Sequence, residues 1–338
     1  MLDIEAIRKV DRAGFWEAYM KWPDAARRAL SQSLEVPPRR EVSLIVLAGM
    51  GGSGIACSVI ADWLRPNSSL PVMVVKDFQL PKCVGRRSLV VVLSLSGETK
   101  EMLSVFNEAV GRGCSVVTVS SGGELESASR RLGVPHNKVE KLMAPRASLP
   151  GLLYVPLRIL SELGLAPSLK SEVEESIGVL EKTVAEVSPS VAFSRNPAKK
   201  VAKLLRETRP VVYSSGRHES VAYGFKASMN ENAKTDVQVG AYPELFHNEI
   251  ETWRSRSGRA VLLLRHSDES RELRRRIHRM KAIVAASGCR VVEVWCRDGL
   301  LASLVRWALL LDMISIYVAV LKGREPLPTK LLNRMREI

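Results

Sequence analysis

The chain has 338 residues, 46% hydrophobic and 25% charged. These are ordinary values for a soluble globular protein with ample apolar material for a core, and the length suits two domains. The net charge of +14 reads first as a basic solvated surface and next as attraction for an anionic small molecule. No basic run is interleaved with aromatics, so no nucleic-acid partner is expected. The five cysteines include no C-x-x-C pair, and the five histidines do not cluster with them. They read as reduced core thiols of a cytoplasmic protein, with no metal site. No charged-then-apolar leader opens the chain. Its most apolar stretch, 300–321, is interrupted by Arg306 and Asp312, which predicts a buried helix and no membrane span.

Apolar residues at helical spacing predict a helix over 2–34, broken at Pro23, with Pro37 and Pro38 as a linker. The apolar run 44–48 predicts a strand buried on both faces. It leads into Gly49-Met50-Gly51-Gly52-Ser53-Gly54 and then a helical pattern through Ile55, Val59, Ile60, Trp63 and Leu64. Strand, glycine turn and helix is the layout of an anion loop, in which the backbone approaches the ligand closely and Ser53 adds a hydroxyl. The alternative is a tight turn and nothing more. Gly49, Gly51 and Gly54 match a dinucleotide fingerprint only loosely, so no nicotinamide cofactor is expected.

Strands follow over 71–75, 89–93 and 116–120. The strand 89–93 ends in Ser94, Ser96, Gly97, Glu98 and Thr99, and a helical pattern begins at Met102. Hydroxyls and a glycine thus gather at the carboxyl end of a central strand, where open α/β sheets bind ligands. No GKS or GKT follows, which points to a small phosphorylated ligand and away from a nucleoside triphosphate. The proline-broken stretch 141–150 carries Arg146, either a surface residue or a guanidinium aimed at the ligand. A helix over 147–160 closes the first domain.

A connector with a helix over 173–187 follows. Strands over 211–215, 260–264 and 290–295 then alternate with helices. Alternation at this rhythm means a parallel sheet. The likeness of 46–51 to 211–216 predicts a repeat of whole domains. The expected architecture is two similar doubly wound α/β domains with helices on both faces: 1–165 including the N-terminal helix, a connector 166–199, and 200–338 with a C-terminal helix. The helix predicted over 220–235 ends in Asn230-Glu231-Asn232-Ala233-Lys234-Thr235. This is either a solvated last turn or a carboxylate offered for chemistry. His247, flanked by Asn248 and Glu249, is a better candidate than most lone histidines.

GMGGSG at 49–54, SLSGET at 94–99, PR at 145–146, NEN at 230–232, HNEIE at 247–251 and EPLPTKLLNRMR at 325–336 together resemble the archaeal-type bifunctional phosphoglucose/phosphomannose isomerases. That family is built from two SIS (sugar isomerase) domains. The resemblance implies a metal-independent aldose–ketose isomerase without cofactor, acting on a phosphorylated hexose. Ser53, Ser94, Ser96 and Thr99 would hold the phosphate beside the amides of Gly51 and Gly52. Glu231 would move the proton between C1 and C2, and Arg146 would stabilise the cis-enediolate. His247, supplied by the partner subunit of a homodimer, would assist ring opening. Thr329 would make room for the C2 epimer. The family places a lysine near the C-terminus, where this chain has Arg336; Lys330 is the alternative. The chemistry is coherent: a glutamate titrates near ~4.3 in water, burial raises a carboxyl, and a fixed cation favours an anionic transition state. A SIS-fold sugar-phosphate sensor, or another SIS sugar-phosphate or aminosugar-phosphate enzyme, would share the phosphate loops.

Overall fold

The N-terminal stretch expected as one helix is three short ones in the computed structural model, which describes residues 2–166, 169–254 and 258–336. They are α1 (Ile4–Val10), α2 (Phe15–Met20) and α3 (Trp22–Ser31). Asp11 ends α1. Its buried carboxylate accepts the N–H groups of Phe15 (2.9 Å) and Trp16 (3.0 Å), which starts α2. The second break falls at Lys21. Pro23 sits inside the first turn of α3, where its missing N–H has no helical partner to lose.

The chain divides into two units, Lys21–Ile177 and Met1–Met20 with Gly178–Ile338. The unit Lys21–Ile177 runs β1 (Leu44–Gly49), α4 (Gly51–Leu64), β2 (Val72–Val75), β3 (Ser88–Leu93), α5 (Lys100–Gly111), β4 (Ser115–Ser120), α6 (Glu124–Arg131), β5 (His136–Lys138) and α7 (Leu149–Glu162). Its sheet is parallel, in the order β2-β1-β3-β4-β5. Every residue of β3 is buried. Val90 pairs with Val46 on one side and Val116 on the other, and Met102, Val105, Phe106 and Ala109 of α5 join the core over that face. An uninterrupted apolar run suits this place because helices or neighbouring strands cover all of it.

In the other unit, α8 (Lys170–Val187, which crosses the division) and α9 (Pro197–Leu205) precede β6 (Arg209–Ser215), α10 (Glu219–Ser228), β7 (Gln238–Tyr242), β8 (Arg259–His266), α11 (Arg271–Ala286), β9 (Arg290–Cys296), α12 (Leu300–Leu321) and α13 (Lys330–Arg336). This sheet is also parallel, ordered β7-β6-β8-β9. The first four strands of each unit therefore share one order: second, first, third, fourth. The repeat expected from the sequence is present in the topology.

By length and apolarity α12 would cross a membrane, yet 83% of its most apolar window is buried inside the protein. It packs on α9 and α10, and α1 and α2 also contact it. Ile7, Phe15 and Tyr19 are fully buried. That packing assigns residues 1–20 to the unit of the second sheet, whereas the sequence grouped them with 21–165. A helix apolar on all sides needs cover from several directions, and the N-terminal helices supply one of them.

Candidate active site

The loops after β1 and β3 lie side by side at the carboxyl edge of the first sheet. Ser53, in the first turn of α4, is buried, and its hydroxyl accepts the N–H of Leu95 (3.1 Å). That bond ties the first loop to the second. The Ser94 hydroxyl donates to Oγ1 of Thr99 (2.9 Å), and the Ser96 hydroxyl accepts the Glu98 N–H (3.2 Å). Neither α4 nor α5 has a side-chain cap at its N-terminus. The first-turn amides of two helices, with four hydroxyls of which those of Ser53 and Ser94 are buried, form a place suited to a phosphate.

Two glycines set the spacing. A Cβ on Gly52 would stand 2.8 Å from the carbonyl carbon of Pro145 and 3.0 Å from the Arg146 nitrogen. Only a glycine lets the turn Pro145–Ala147 rest against α4, and this contact brings the Arg146 backbone beside the loop after β1. Gly97 has φ +72°, and a Cβ there would lie 1.8 Å from the Gly122 carbonyl oxygen, so the loop after β4 closes over the loop after β3. The Glu98 carboxylate then accepts the Glu124 N–H at the start of α6 (2.9 Å). This role of Gly122, Gly123 and Glu98 is not read from the sequence, where the Ser120-Ser121-Gly122-Gly123 run and the place of Glu98 in SLSGET are the signals.

In the other unit, Glu231 lies on a π-helical turn, Met229–Ala233, that continues α10. The sequence predicted an unbroken helix over 220–235. Instead residues 229–233 widen, the helix stops there, and Lys234 takes left-handed φ, ψ of 50°, 45°. Single π-turns and left-handed non-glycine residues are uncommon and concentrate at functional sites. The turn is anchored on its core side. Asn232, fully buried, donates through its amide to the Ser315 hydroxyl (2.8 Å), and Ser228 donates to the Asp312 carboxylate. Glu231 itself is half-buried.

His247 ends a 3₁₀ turn, Glu244–His247, and is exposed. Its neighbour Glu249 faces the sheet, where its Oε1 accepts from the Tyr213 hydroxyl (2.8 Å) and the Gln238 amide. Trp253 donates to the same tyrosine oxygen (3.2 Å). Within the HNEIE stretch, then, Glu249 fixes the loop and His247 is left accessible. Burial, with the adjacent Glu249 charge, pushes the Tyr213 hydroxyl well above its ordinary value. Thr329 precedes α13 and is half-buried, while Lys330 is exposed. The expectation for Arg336 concerns a side chain that lies outside the described residues.

In the second sheet, side chains fill the crevice between β6 and β8, where an open sheet of this order would hold a ligand. His218 is buried, with Nδ1 2.8 Å from the Ser215 hydroxyl and Nε2 3.2 Å from that of Ser303. Its ring packs on His266 and on the edge of Trp307, at centroid distances of 5.2 and 4.7 Å. Burial, reinforced by His266, pushes the His218 imidazole down to about 3, so it is neutral. Among the described residues no three His, Cys, Asp or Glu side chains are grouped as a metal ion would need.

Residues 194–338 match the family model described as the bacterial phospho-glucose isomerase C-terminal SIS domain. A bifunctional phosphoglucose/phosphomannose isomerase of Aquifex aeolicus is 31% identical over 331 residues, covering 96% of this chain and 95% of that one. A D-glucosamine-6-phosphate 4-epimerase of Sulfolobus acidocaldarius is 27% identical over 242 residues, covering 71% and 73%. Among solved structures, the C-terminal domain of glucosamine-fructose-6-phosphate aminotransferase from Francisella tularensis superposes with a TM-score of 0.72 at 14% identity, covering 92% of this chain and 97% of that one. That likeness speaks for the fold alone. The match to the Aquifex protein, in contrast, spans nearly the whole of both chains at 31% identity, and on that ground this chain belongs to the bifunctional phosphoglucose/phosphomannose isomerase family.

Proposed function

We infer that this protein interconverts glucose 6-phosphate and mannose 6-phosphate with fructose 6-phosphate. It does so by proton transfer between C1 and C2 through a cis-enediolate, with no metal ion in the step. The observation that carries this reading is Glu231 on a π-turn fastened to the core, in a chain of this family. A base on one face of the C1–C2 bond needs a fixed position more than unusual strength.

The hydroxyls of Ser53, Ser94, Ser96 and Thr99, with the amides of Gly51 and Gly52, hold the phosphate. Arg146, brought to the loop by Gly52, stabilises the enediolate, whose charge exists only at and near the transition state. His247 assists ring opening and comes from the partner subunit of a homodimer; its exposure is compatible with that. Thr329 accommodates the C2 epimer.

The epimerase relative favours a second reading, an aminosugar-phosphate substrate. One experiment separates the two. The purified protein is treated with EDTA and offered glucose 6-phosphate, mannose 6-phosphate and glucosamine 6-phosphate separately, with coupled detection of fructose 6-phosphate and chromatographic detection of an epimer. Fructose 6-phosphate from the first two supports the isomerase. An epimer from the third alone supports the second reading and removes the first.

A further inference from the structure

Three basic side chains converge on the turn that carries Glu231. The Lys234 ammonium donates to the carbonyls of Asn232 (3.2 Å), Glu325 (2.9 Å) and Pro326 (3.3 Å). The Arg324 guanidinium donates to the carbonyls of Ala233 (2.7 Å) and Lys234 (2.6 Å). Lys322 donates to the Thr235 hydroxyl (2.7 Å), which itself donates to the Ala233 carbonyl. The last carbonyls of a helix have no partner within it and carry the negative end of its dipole, so cations are favoured there. What is unusual is where the cations come from.

Arg324, Glu325 and Pro326 follow α12 directly. That helix ends in a Schellman turn: the Gly323 N–H bonds the Val320 carbonyl (3.0 Å) and the Arg324 N–H bonds the Ala319 carbonyl (2.9 Å), with Gly323 at φ +64°. The reversal carries 324–328 to the base-bearing turn and leads on to Thr329. Hydrogen bonds run in both directions between the two segments, from Lys234 to 325–326 and from Arg324 to 233–234. Lys234 reaches its partners from a left-handed backbone that disfavours any residue with a Cβ. A glycine would sit there without strain but would have no ammonium.

Resting on the reading of Glu231 as the base, we propose that Lys234 is a positioning residue for the reaction: by clamping the Glu231 turn to the 324–329 strap, it holds the carboxylate at the depth proton transfer requires. The clamp makes one unit of the base and the segment that carries Thr329. Lys234 touches no reacting atom in this account and acts through the backbone it fixes.

The test is Lys234→Met, which keeps the stem, the Cβ and the left-handed strain and removes only the donors. Turnover of fructose 6-phosphate falls by about 10- to 100-fold, the loss expected from moving a catalytic group by up to about 1 Å, while KM stays within about twofold because phosphate binding is untouched. Lys234→Arg restores most of the turnover. Arg324→Gln, which loosens the same clamp from the strap side, gives the same kcat-selective loss even if the lysine variant folds poorly. The two together cost less than the product of the single effects, since they break one device. Wild-type kcat in the folded Lys234→Met protein, or a loss confined to KM, overturns the proposal. Glu231→Gln is measured alongside. If it stays active, the assignment of the base has failed; if it is inactive while Lys234→Met is fully active, only the clamp has failed.

Discussion

Gly52 lies against the Pro145–Arg146 backbone, and replacing it with alanine tests that contact. Gly52→Ala places a Cβ 2.8–3.0 Å from three backbone atoms of that turn. Ordinary contact begins near ~3.4 Å, and backbone cannot rotate away as a side chain can, so α4 and the turn must part by about half an ångström. Overpacking of this kind costs about 2 kcal/mol. For a unit of this size that lowers Tm by roughly 4–8 °C. With Arg146 in the role proposed for it, moving it by the same distance lowers kcat on the order of 10-fold. Gly111→Ala is the control: it adds a Cβ at the end of α5 with nothing within 4 Å, and it should be neutral or slightly stabilising. Thermal unfolding and isomerase kinetics on both variants read the result. Wild-type Tm and kcat in Gly52→Ala would mean that the turn is not held against α4, and the positioning of Arg146 argued from that contact would be wrong.

Ser53→Ala strands the Leu95 N–H, a loss of about 1–3 kcal/mol, and raises KM for the phosphosugar; unchanged KM and Tm would remove Ser53 from the loop account. His218 is held neutral with its pKa pushed down to about 3, so the native state binds fewer protons than the unfolded chain below pH ~6.5. Its contribution to stability is complete above ~6.5 and is lost as pH falls toward 3, about 2 kcal/mol of it by pH 5. His218→Gln should flatten the acid side of a Tm–pH curve, and an identical slope in both proteins refutes the burial argument. Of the five free cysteines only Cys83 is exposed, and burial pushes Cys57 and Cys296 up to about 12. A thiol reagent should therefore titrate one fast equivalent natively, absent in Cys83→Ser; two or more fast equivalents would contradict the packing.

The parts of the fold written in local pattern were readable from sequence. β3 is an unbroken apolar run because helices and neighbouring strands cover it completely, and the serine-rich loop after it follows from the chemistry at strand ends. β7 was missed because Gln238-Val239-Gly240-Ala241-Tyr242 has neither a long apolar run nor alternation. It is an edge strand, and Gly240 is required there because a Cβ would meet Glu249 and Tyr213 at 2.7–2.8 Å. The three-residue β5 carries no pattern to read. The π-turn was read as plain helix because its geometry is imposed from elsewhere in the chain, by Ser315, Arg324 and Glu325. In the sequence Lys234 is one member of a polar run, 230–235, with nothing to mark its role. Glu231 and His247 were named from motifs, but the packing that leaves His247 accessible while Glu249 faces Tyr213 lies beyond local sequence.

The role of Glu231 as the base is tested by turnover of fructose 6-phosphate by Glu231→Gln in the presence of EDTA, with sugar-phosphate binding measured on the same preparation. Binding is expected to be retained and kcat to fall by about 10²–10⁴-fold, the contribution of a positioned general base. Retained turnover with glutamine at position 231 would contradict that role.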